Sequence, residues 1–554
     1  AVNINSSSPG NATFTSNATQ LNLQVPAANM SFTVANNEVA AKEDTAFLDV
    51  TLTGSSNLLT TCTYDIVYEY DAGSNVYGQG TTTKTSGATK EITIEVNGMN
   101  GNNHFATETN FDHANVQSYY DSTNKYYKLV EGATIQSLGT EQSVRWKITG
   151  RYYNLNVSQA QLGGKAFTGK IYAISKGCSS EDGSSVKKGY GTILANNGGA
   201  ASMTTLTSTD FAKGTTASDK GMYSAPDDLG TSYYFRGAVD NNWVKYGKYT
   251  KDMYITMDSH YIYSLVESCN GLNFCEKLAS KGDDMYWRII RVNGDGSIRM
   301  IYTGTSAPDN NTKVVMTNGE FYNYYNGIPK KTAVGMSKFN RNLNSAEYVG
   351  YMYTIGEQHG TSKSSDIKTY LDNWYANYTD LNKTGTKITD QIYCNDRTAS
   401  TSEVAYSPTN YTTLTSWNST GTLYYYGAYG RIDIDNNPML TCAVDRDRFT
   451  VNKINGKGNS ALTYPVGIIT IDEVVMAGNN FNESVKSHYL YTGAKYWTGT
   501  PTYFDGSYSA GFIDGNGYSR AELGIQFGVR SVVSLSSDVK LLGSGTYNDV
   551  YIVS

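Results

Sequence analysis

The stretch SVRWKIT, residues 143–149, alternates apolar and polar side chains with a period of two. Val144, Trp146 and Ile148 therefore lie on one face of an extended chain. The stretch KEITIEV, residues 90–96, repeats the pattern. A strand with one apolar face is stable only where a sheet covers that face. The two stretches thus predict a β-sheet with Trp146 in its core.

Composition extends the β pattern to the rest of the 554 residues. The chain holds 47 Tyr against 16 Phe and 6 Trp, and Tyr favours strands while its hydroxyl tolerates water. Clusters of Gly, Ser and Asn separate short alternating segments up to about residue 177, which is typical of a β-sandwich or jelly roll. The sequence predicts a mainly β protein.

Charge and motifs exclude several function classes. The net charge of −6 and the absence of a Lys/Arg-rich run exclude a nucleic-acid partner. No apolar stretch reaches the ~18 residues that span a bilayer. The five histidines lie in no metal-binding spacing, and no GxSxG or P-loop motif occurs. We therefore expect no cofactor and no enzymatic activity. The sequence starts at Ala1 without a signal peptide, so we expect a mature secreted chain.

The six cysteines predict disulfides in an oxidising compartment. Their order favours joining Cys269 to Cys275 and Cys394 to Cys442, which leaves Cys62 for Cys178. Six thiols allow about 15 different pairings, so order alone does not fix the connectivity. The alternative is that the cysteines are buried free thiols. No CxxC motif occurs, so a zinc ribbon is not expected.

Local signals in the second half predict a hairpin and two helices. DMYWRIIRVNGDGSIRMIYTG, residues 284–304, places a turn at NGDG between two strand patterns. SSDIKTYLDNWYANY, residues 364–378, puts Ile367, Tyr370, Leu371 and Trp374 on one helical stripe. TIDEVVMAG, residues 470–478, contains a capping box.

Composition also predicts the domain boundaries. Residues 1–35 form a leading strand segment, and residues 36–177 form the sandwich. Residues 178–227 have the Gly, Ser and Thr content of a linker. Residues 228–554, which are richer in Trp and Tyr, form the second domain.

Ordered motifs in the second domain resemble a known group of proteins. They are YYFRGAVDNNWVKYG (233–247), YWRIIRVNGDGSIRMIYTG, YGAYGRI, YPVGIITIDEVVMAG, YWTGTP and GVRSVVSL. Together they resemble the C-terminal region of secreted or surface proteins of Gram-positive gut bacteria. That region is similar to the C-type-lectin-like fold of the formylglycine-generating-enzyme superfamily. The resemblance implies an α+β domain of that fold, although Ser531 stands where the family pattern has proline.

The second domain contains three possible sites. A formylglycine-type enzyme would need reactive thiols at Cys394 and Cys442, but a structural disulfide is the favoured interpretation. Asp433, Asp435 and Asn437 alternate as in calcium loops, yet Pro438 stands where such loops have glycine. Aromatic side chains such as Tyr496 and Trp497, or those of LYYYGAYG, could stack on sugars, but the family pattern makes Trp497 a core residue.

The first domain carries a weaker resemblance. NLNVSQAQLGGKAFTGKIYAIS, residues 154–175, is similar to the sandwich domains of TasA and camelysin-type fibre subunits. Such a likeness implies assembly, and the leading segment 1–35 is a candidate donor strand for a neighbouring copy. Its candidate contact residues are Phe14, Leu21, Leu23 and Val25. The alternative is that these residues form the first strands of their own sandwich.

The sequence therefore predicts a non-enzymatic structural subunit of an extracellular bacterial filament or pilus. Copies would join head to tail by β-strand addition, with the lectin-like domain facing outward on the cell surface. The alternative is a monomeric surface adhesin that binds glycans or other host ligands through the second domain.

Overall fold

A computed structural model of the chain describes residues 6–7, 12–25, 39–54, 58–71, 91–99, 106–110, 120–121, 123, 125–139, 141–154, 159–182, 187–260, 262–272, 274–314, 332–400, 424–480, 483, 485–504, 510–514 and 517–554. Its contacts divide the chain into a first unit, Ala1–Val186, and a second unit, Lys187–Val553. Strands dominate both units, which confirms the predicted mainly β class.

The first unit consists of two antiparallel sheets. In chain order its described strands are β1 (Ser6–Ser7), β2 (Thr13–Ser16), β3 (Thr19–Gln24), β4 (Val39–Thr53), β5 (Leu58–Tyr70), β6 (Ile92–Met99), β7 (Ala106–Asn110), β8 (Tyr120–Asp121), β9 (Tyr126–Ser137), β10 (Gln142–Asn154) and β11 (Ala166–Asp182). One sheet has the order β1-β2-β4-β10-β6-β7 and the other β3-β11-β5-β9-β8. A 3₁₀ turn, Ala160–Leu162, precedes β11.

The alternating residues of these strands form one core between the two sheets. Val144, Trp146 and Ile148 of β10 are buried, as the pattern predicted, and so are Ile92, Ile94 and Val96 of β6. Residues of β5 and β11 from the other sheet belong to the same cluster. The Trp146 Nε1 donates a hydrogen bond to the Tyr64 hydroxyl at 3.1 Å across this core. The first unit is thus a β-sandwich.

The second unit contains more and shorter strands. They are β12 (Lys220–Asp227), β13 (Gly230–Gly237), β14 (Trp243–Lys248), β15 (Met253–Met257), β16 (Tyr263–Val266), β17 (Cys275–Ala279), β18 (Asp284–Val292), β19 (Ile298–Gly304), β20 (Met336–Ser337), β21 (Met352–Tyr353), β22 (Lys363–Ser364), β23 (Ile388–Thr389), β24 (Tyr393–Cys394), β25 (Tyr424–Tyr425), β26 (Arg448–Phe449), β27 (Tyr496–Pro501), β28 (Tyr503–Phe504), β29 (Ala510–Asp514), β30 (Gly517–Ala521), β31 (Phe527–Gly528), β32 (Val532–Leu535), β33 (Leu541–Leu542) and β34 (Tyr551–Val553).

Helices of the second unit are short. They are α1 (Gly189–Asn196), α2 (Ser208–Phe211), α3 (Asp366–Tyr378), α4 (Gly427–Tyr429), which continues into a π-helical turn at Gly430–Ile434, and α5 (Ile471–Met476). Additional 3₁₀ turns occupy Ala200–Ser202, Ala346–Val349 and Asp445–Asp447. The predicted stripe of α3 is buried, and its Ser365 cap accepts from the Lys368 amide. The capping box of α5, Thr470 with Glu473, is confirmed.

A nine-stranded sheet organises the second unit. Its path is β23-β32-β19-β18-β14-β34-β33, with β13 paired to β18 and β12 to β13. The predicted hairpin is confirmed as β18 and β19, which lie at the centre of the sheet. Smaller sheets are β16-β15-β17 and β20-β31-β27-β29-β30. Nearly every residue of β18 and β19 is buried, so this hairpin lies inside the core of the unit.

The predicted linker at residues 178–227 is wrong. The strand β11 continues to Asp182, and Lys187–Asp227 belongs to the second unit and contains α1, α2 and β12. Phe211 in this region is buried in the core of the second unit. The Gly, Ser and Thr residues that indicated a linker serve here as turns and caps, such as the capping box of Thr207 with Asp210. Polar composition alone does not separate such a region from a flexible connection.

The six cysteines pair as their order suggested, namely Cys62 with Cys178, Cys269 with Cys275, and Cys394 with Cys442. Three disulfides indicate a protein from an oxidising compartment. Among the described helices, none is both long and apolar enough to cross a lipid bilayer.

Candidate functional site

The N-terminal edge segment, residues 12–25, contributes to both sheets of the sandwich. Its strand β2 pairs with β4 in one sheet, and its strand β3 is the edge strand of the other sheet, beside β11. The Val25 amide then donates to the Lys165 carbonyl at 2.9 Å. The structure therefore pairs this segment within its own chain, which is the alternative to a donor strand. Of the predicted donor segment 1–35, residues 1–5, 8–11 and 26–35 lie outside the described residues.

The four predicted contact residues lie in the core of their own sandwich. Phe14, Leu21, Leu23 and Val25 are at most 4% exposed. The Phe14 ring lies 5.5 Å from that of Tyr64. A role for these residues in contacts between copies stays a prediction.

Leu21 occupies a space that a glycine provides. A Cβ atom at Gly150 would lie 2.9 Å from the Leu21 Cδ2 atom, which is closer than van der Waals contact allows. Gly150 lies in β10 of the opposite sheet. The Leu21 side chain of the edge segment therefore packs in the space that the missing side chain of Gly150 leaves open.

A buried ion cluster lies beside the nine-stranded sheet in the second unit. Glu473 of α5 contacts Arg291 at 3.1 Å and Arg299 at 2.6 Å, and all three side chains are at most 8% exposed. Arg291 also pairs with Asp227 at 2.8 Å. Burial opposes ionisation of Glu473, but Arg299 and Arg291 hold its pKa below the usual range. The cluster joins α5 to β18 and β19.

Arg431 connects a second pair of carboxylates to the same region. It contacts Asp396 at 2.6 Å and Asp472 at 2.8 Å. Burial opposes its charge, yet Asp472 and Asp396 raise the pKa of Arg431. Each of these carboxylates therefore has a guanidinium partner.

The cavity between these ion pairs is too small for an organic substrate. Its volume is about 30 Å³, which corresponds to room for about one or two water molecules. The lining includes the disulfide residue Cys394 together with Arg291, Arg299, Arg431 and Glu473. The cavity is thus a small space within the network of ion pairs.

The thiol and metal candidates have different outcomes. Cys394 and Cys442 form a disulfide with each other, so neither presents a thiol in this structure.

The metal candidates lie at a helical turn. Asp433 lies in the π-helical turn, and Asp435 follows this turn directly. The calcium-loop interpretation of Asp433, Asp435 and Asn437 stays a prediction. Within the described residues, no group of three or more His, Cys, Asp or Glu side chains could hold a metal ion.

The sugar-stacking candidates Tyr496 and Trp497 are buried, at 1% and 0% exposure. The Trp497 Nε1 donates to the Ser337 carbonyl at 2.9 Å. Stacking of a glycan on either ring is therefore excluded in this structure, and Trp497 is a core residue, as the family pattern indicated. In LYYYGAYG, Tyr429 is also buried, while Tyr425 is half-buried against it.

Three other arginines are buried without a carboxylate in contact among the residues that the structure describes. Arg236, Arg288 and Arg530 donate mainly to backbone carbonyls, and each guanidinium lies over an aromatic ring. Burial lowers the pKa of Arg288 to about 9. The three residues come from the FRG, YWR and GVR segments of the motifs that carry the family resemblance. These motifs therefore mark structural arginines in the described second unit.

His488 is fully buried, and its Nδ1 atom has no hydrogen-bond partner among the described residues. Burial, with the nearby charges of Arg236 and Arg530, lowers its pKa to about 3. In an unfolded chain the His488 imidazole takes up a proton near pH 6.5, so the contribution of the neutral ring to the free energy of unfolding is complete above that pH. This contribution falls by up to about 1.4 kcal/mol per pH unit as the pH drops toward 3.

We therefore expect the free energy of unfolding of the second unit to fall at acid pH. The substitution His488→Gln should remove the part of this fall that His488 causes. Hydrogen exchange of peptides from the second unit, measured across this pH range, checks it. The exposed His260→Gln variant is the control and should keep the wild-type slope. An unchanged slope in His488→Gln would assign the pH dependence to another group.

Sequence reasoning missed the buried ion cluster. Its signal was present, since Arg291 and Arg299 interrupt apolar strands at positions where the pattern predicts core residues. The partner Glu473 was recognised only as a member of a capping box. The pairing was hidden because 182 positions separate Arg291 from Glu473.

Comparison with known proteins closes the description of these sites. No protein-family model, no curated protein and no solved structure matches the chain. The likeness to lectin-like surface proteins and to fibre subunits therefore stays a prediction from sequence motifs.

Proposed function

We propose that the chain is a non-enzymatic structural subunit of an extracellular bacterial filament on the cell surface. Neighbouring copies exchange the N-terminal edge segment, residues 12–25, and the second unit is carried outward. The form in which β2 and β3 pair within one chain is the self-complemented state of the subunit. In the filament, the same segment of the next copy takes the same place.

The observation that carries this proposal is the position of the edge segment. It gives strands to both sheets, with β2 beside β4 and β3 at an edge beside β11. Its four buried side chains supply the apolar contacts, and β3 supplies backbone hydrogen bonds. Exchange of an identical element in one direction gives an open, head-to-tail assembly.

A pair of engineered cysteines tests the exchange. Asn22 of β3 lies opposite Thr168 of β11. In Asn22→Cys/Thr168→Cys, an exchanged strand produces a disulfide between copies, whereas a self-complemented strand produces one within a copy. We expect the sedimented, assembled fraction to show a ladder of covalent multimers on non-reducing gels.

The matched control is Thr51→Cys/Ser143→Cys, whose residues lie opposite each other on β4 and β10, outside the edge segment. This pair should cross-link only within a copy in every fraction. An assembled fraction with Asn22→Cys/Thr168→Cys bonds only within single copies would refute strand exchange. Failure of the wild-type chain to assemble at all would refute the filament function.

A further inference from the structure

The strand β14 carries a β-bulge that turns two lysines to the same face of the nine-stranded sheet. Lys245 lies opposite Tyr286 of β18 and Lys248 lies opposite Asp284, so three steps along β14 match two steps along β18. In a regular strand, residues three apart face opposite sides of the sheet. Tyr286 and Asp284 are two apart and share one face, so the bulge brings both lysines to that face as well.

Gly247 lies in the bulge between the two lysines. Its φ of 85° is in the left-handed region, which favours glycine. A Cβ atom at this position would lie 2.5 Å from the Leu381 Cδ2 atom, so the position also has no room for a side chain. Backbone geometry therefore holds the two lysines on one face.

The carboxylate of this cluster, Asp284, is paired with one of the two lysines. The Lys248 Nζ atom contacts Asp284 at 3.0 Å. Within the described part of the chain, the Lys245 amine has no hydrogen bond and no ion pair, although the charge of Asp284 acts on it from farther away. Asp380, a second carboxylate near Lys248, accepts a hydrogen bond from the Lys248 backbone amide at 2.7 Å.

Lys245 is surrounded by buried side chains of the neighbouring strands. β14 is an interior strand, with β18 on one side and β34 on the other. The register partners of Lys245, Tyr286 and Ile552, are at most 5% exposed, while Lys245 itself is half-buried. Burial lowers the pKa of the Lys245 amine, Asp284 opposes this effect, and Lys248 adds to it. Burial and Asp284 raise the pKa of the Tyr286 phenol, so its hydroxyl is neutral.

An amine in these surroundings has a larger uncharged fraction near neutral pH than the amine of an exposed lysine. Burial and a neighbouring cation both disfavour the ammonium form, and only the uncharged form has a lone pair for nucleophilic attack. Asp284 favours the ammonium form, but it is already paired with Lys248. Desolvated lysines next to a second cation are the type that reacts with carbonyl carbons.

We propose that Lys245 is a nucleophilic site that forms an imine with small aldehydes and ketones. The Nζ lone pair bonds to the carbonyl carbon, and both amine hydrogens leave with the carbonyl oxygen as water. Because Lys245 is half-buried, it is open to a reagent of this size. This inference does not depend on filament assembly, because every residue of the cluster belongs to the second unit of one copy.

The test is reductive alkylation of the full chain with acetaldehyde and cyanoborohydride, which traps each imine as an N-ethyl group. Peptide mass spectrometry measures the initial rate at each lysine, and the exposed Lys363 is the internal reference. At about pH 7 we expect Lys245 to react at least about three-fold faster than Lys363. As the pH rises to about 10, Lys363 also loses its proton, so the ratio of the two rates should fall to about one or below. A Lys245 that reacts no faster than Lys363 near neutral pH, or a ratio that does not change with pH, would overturn the proposal.

Two variants test the role of the neighbouring cation. Lys248→Gln frees Asp284 to pair with Lys245, so the Lys245 rate near neutral pH should fall at least about three-fold. The matched control is Lys251→Gln, which removes the same charge from a lysine outside the cluster that pairs with Glu267 at 2.6 Å. Lys245 should react in this control at the wild-type rate. If Lys245 reacts equally fast in both variants, the cluster does not activate the amine and the assignment fails.

Discussion

Glu473→Gln should lower the free energy of unfolding of the second unit by about 3–5 kcal/mol. The substitution keeps the shape of the side chain but removes the carboxylate that Arg291 and Arg299 share, and Arg291 alone of the two keeps a carboxylate partner among the described residues, Asp227. A buried guanidinium without its counter-ion bears the full cost of its lost hydration. Hydrogen exchange of peptides that contain α5, β18 and β19 measures the loss directly.

The control for this prediction is Asp445→Asn. Asp445 pairs with Arg448 at 3.2 Å but is 46% exposed, so water already screens the interaction. Its loss should cost at most about 1 kcal/mol. Equal exchange rates in the two variants would mean that the buried cluster does not stabilise the second unit.

Trp146→Ala should destabilise the first unit by about 3–5 kcal/mol. Trp146 is fully buried between the two sheets and donates to the Tyr64 hydroxyl. Removing the ring opens a cavity that the paired strands β4 and β10 cannot close, because their register fixes the backbone. Hydrogen exchange of β4, β6 and β10 peptides reports this loss, and exchange in the second unit should not change.

Trp146→Phe separates the two contributions of the side chain. It keeps an aromatic ring in the core but removes the hydrogen bond to Tyr64, so we expect a loss of about 1–2 kcal/mol. A Trp146→Ala variant no less stable than Trp146→Phe would show that packing of the ring is not what holds the sandwich together.

Period-two patterns predicted the sheets correctly because alternation follows directly from strand geometry. Val144, Trp146 and Ile148 are buried as the pattern required. The hairpin of β18 and β19 and the start of α3 also depend on residues close in sequence. Cysteine order suggested the disulfide pairs, although order alone does not exclude other connectivities.

What the sequence left open or predicted wrongly involves partners distant in sequence. The alternation of Leu21 and Leu23 shows that they need a sheet, but the same pattern fits a sheet in this chain or in a neighbouring copy. Only the tertiary structure places them beside β11, more than a hundred residues away. The linker assignment failed similarly, because Phe211 is buried by elements far along the chain.

The sequence by itself determined that this protein is built from strands, where several of them turn, and which of their faces are apolar. The tertiary structure decided which strand pairs with which and that Glu473 lies between two arginines. The physical reason is that side-chain alternation and turn chemistry depend on neighbouring residues. Pairing, ion contacts and cavities instead depend on which distant surfaces the folded chain brings together.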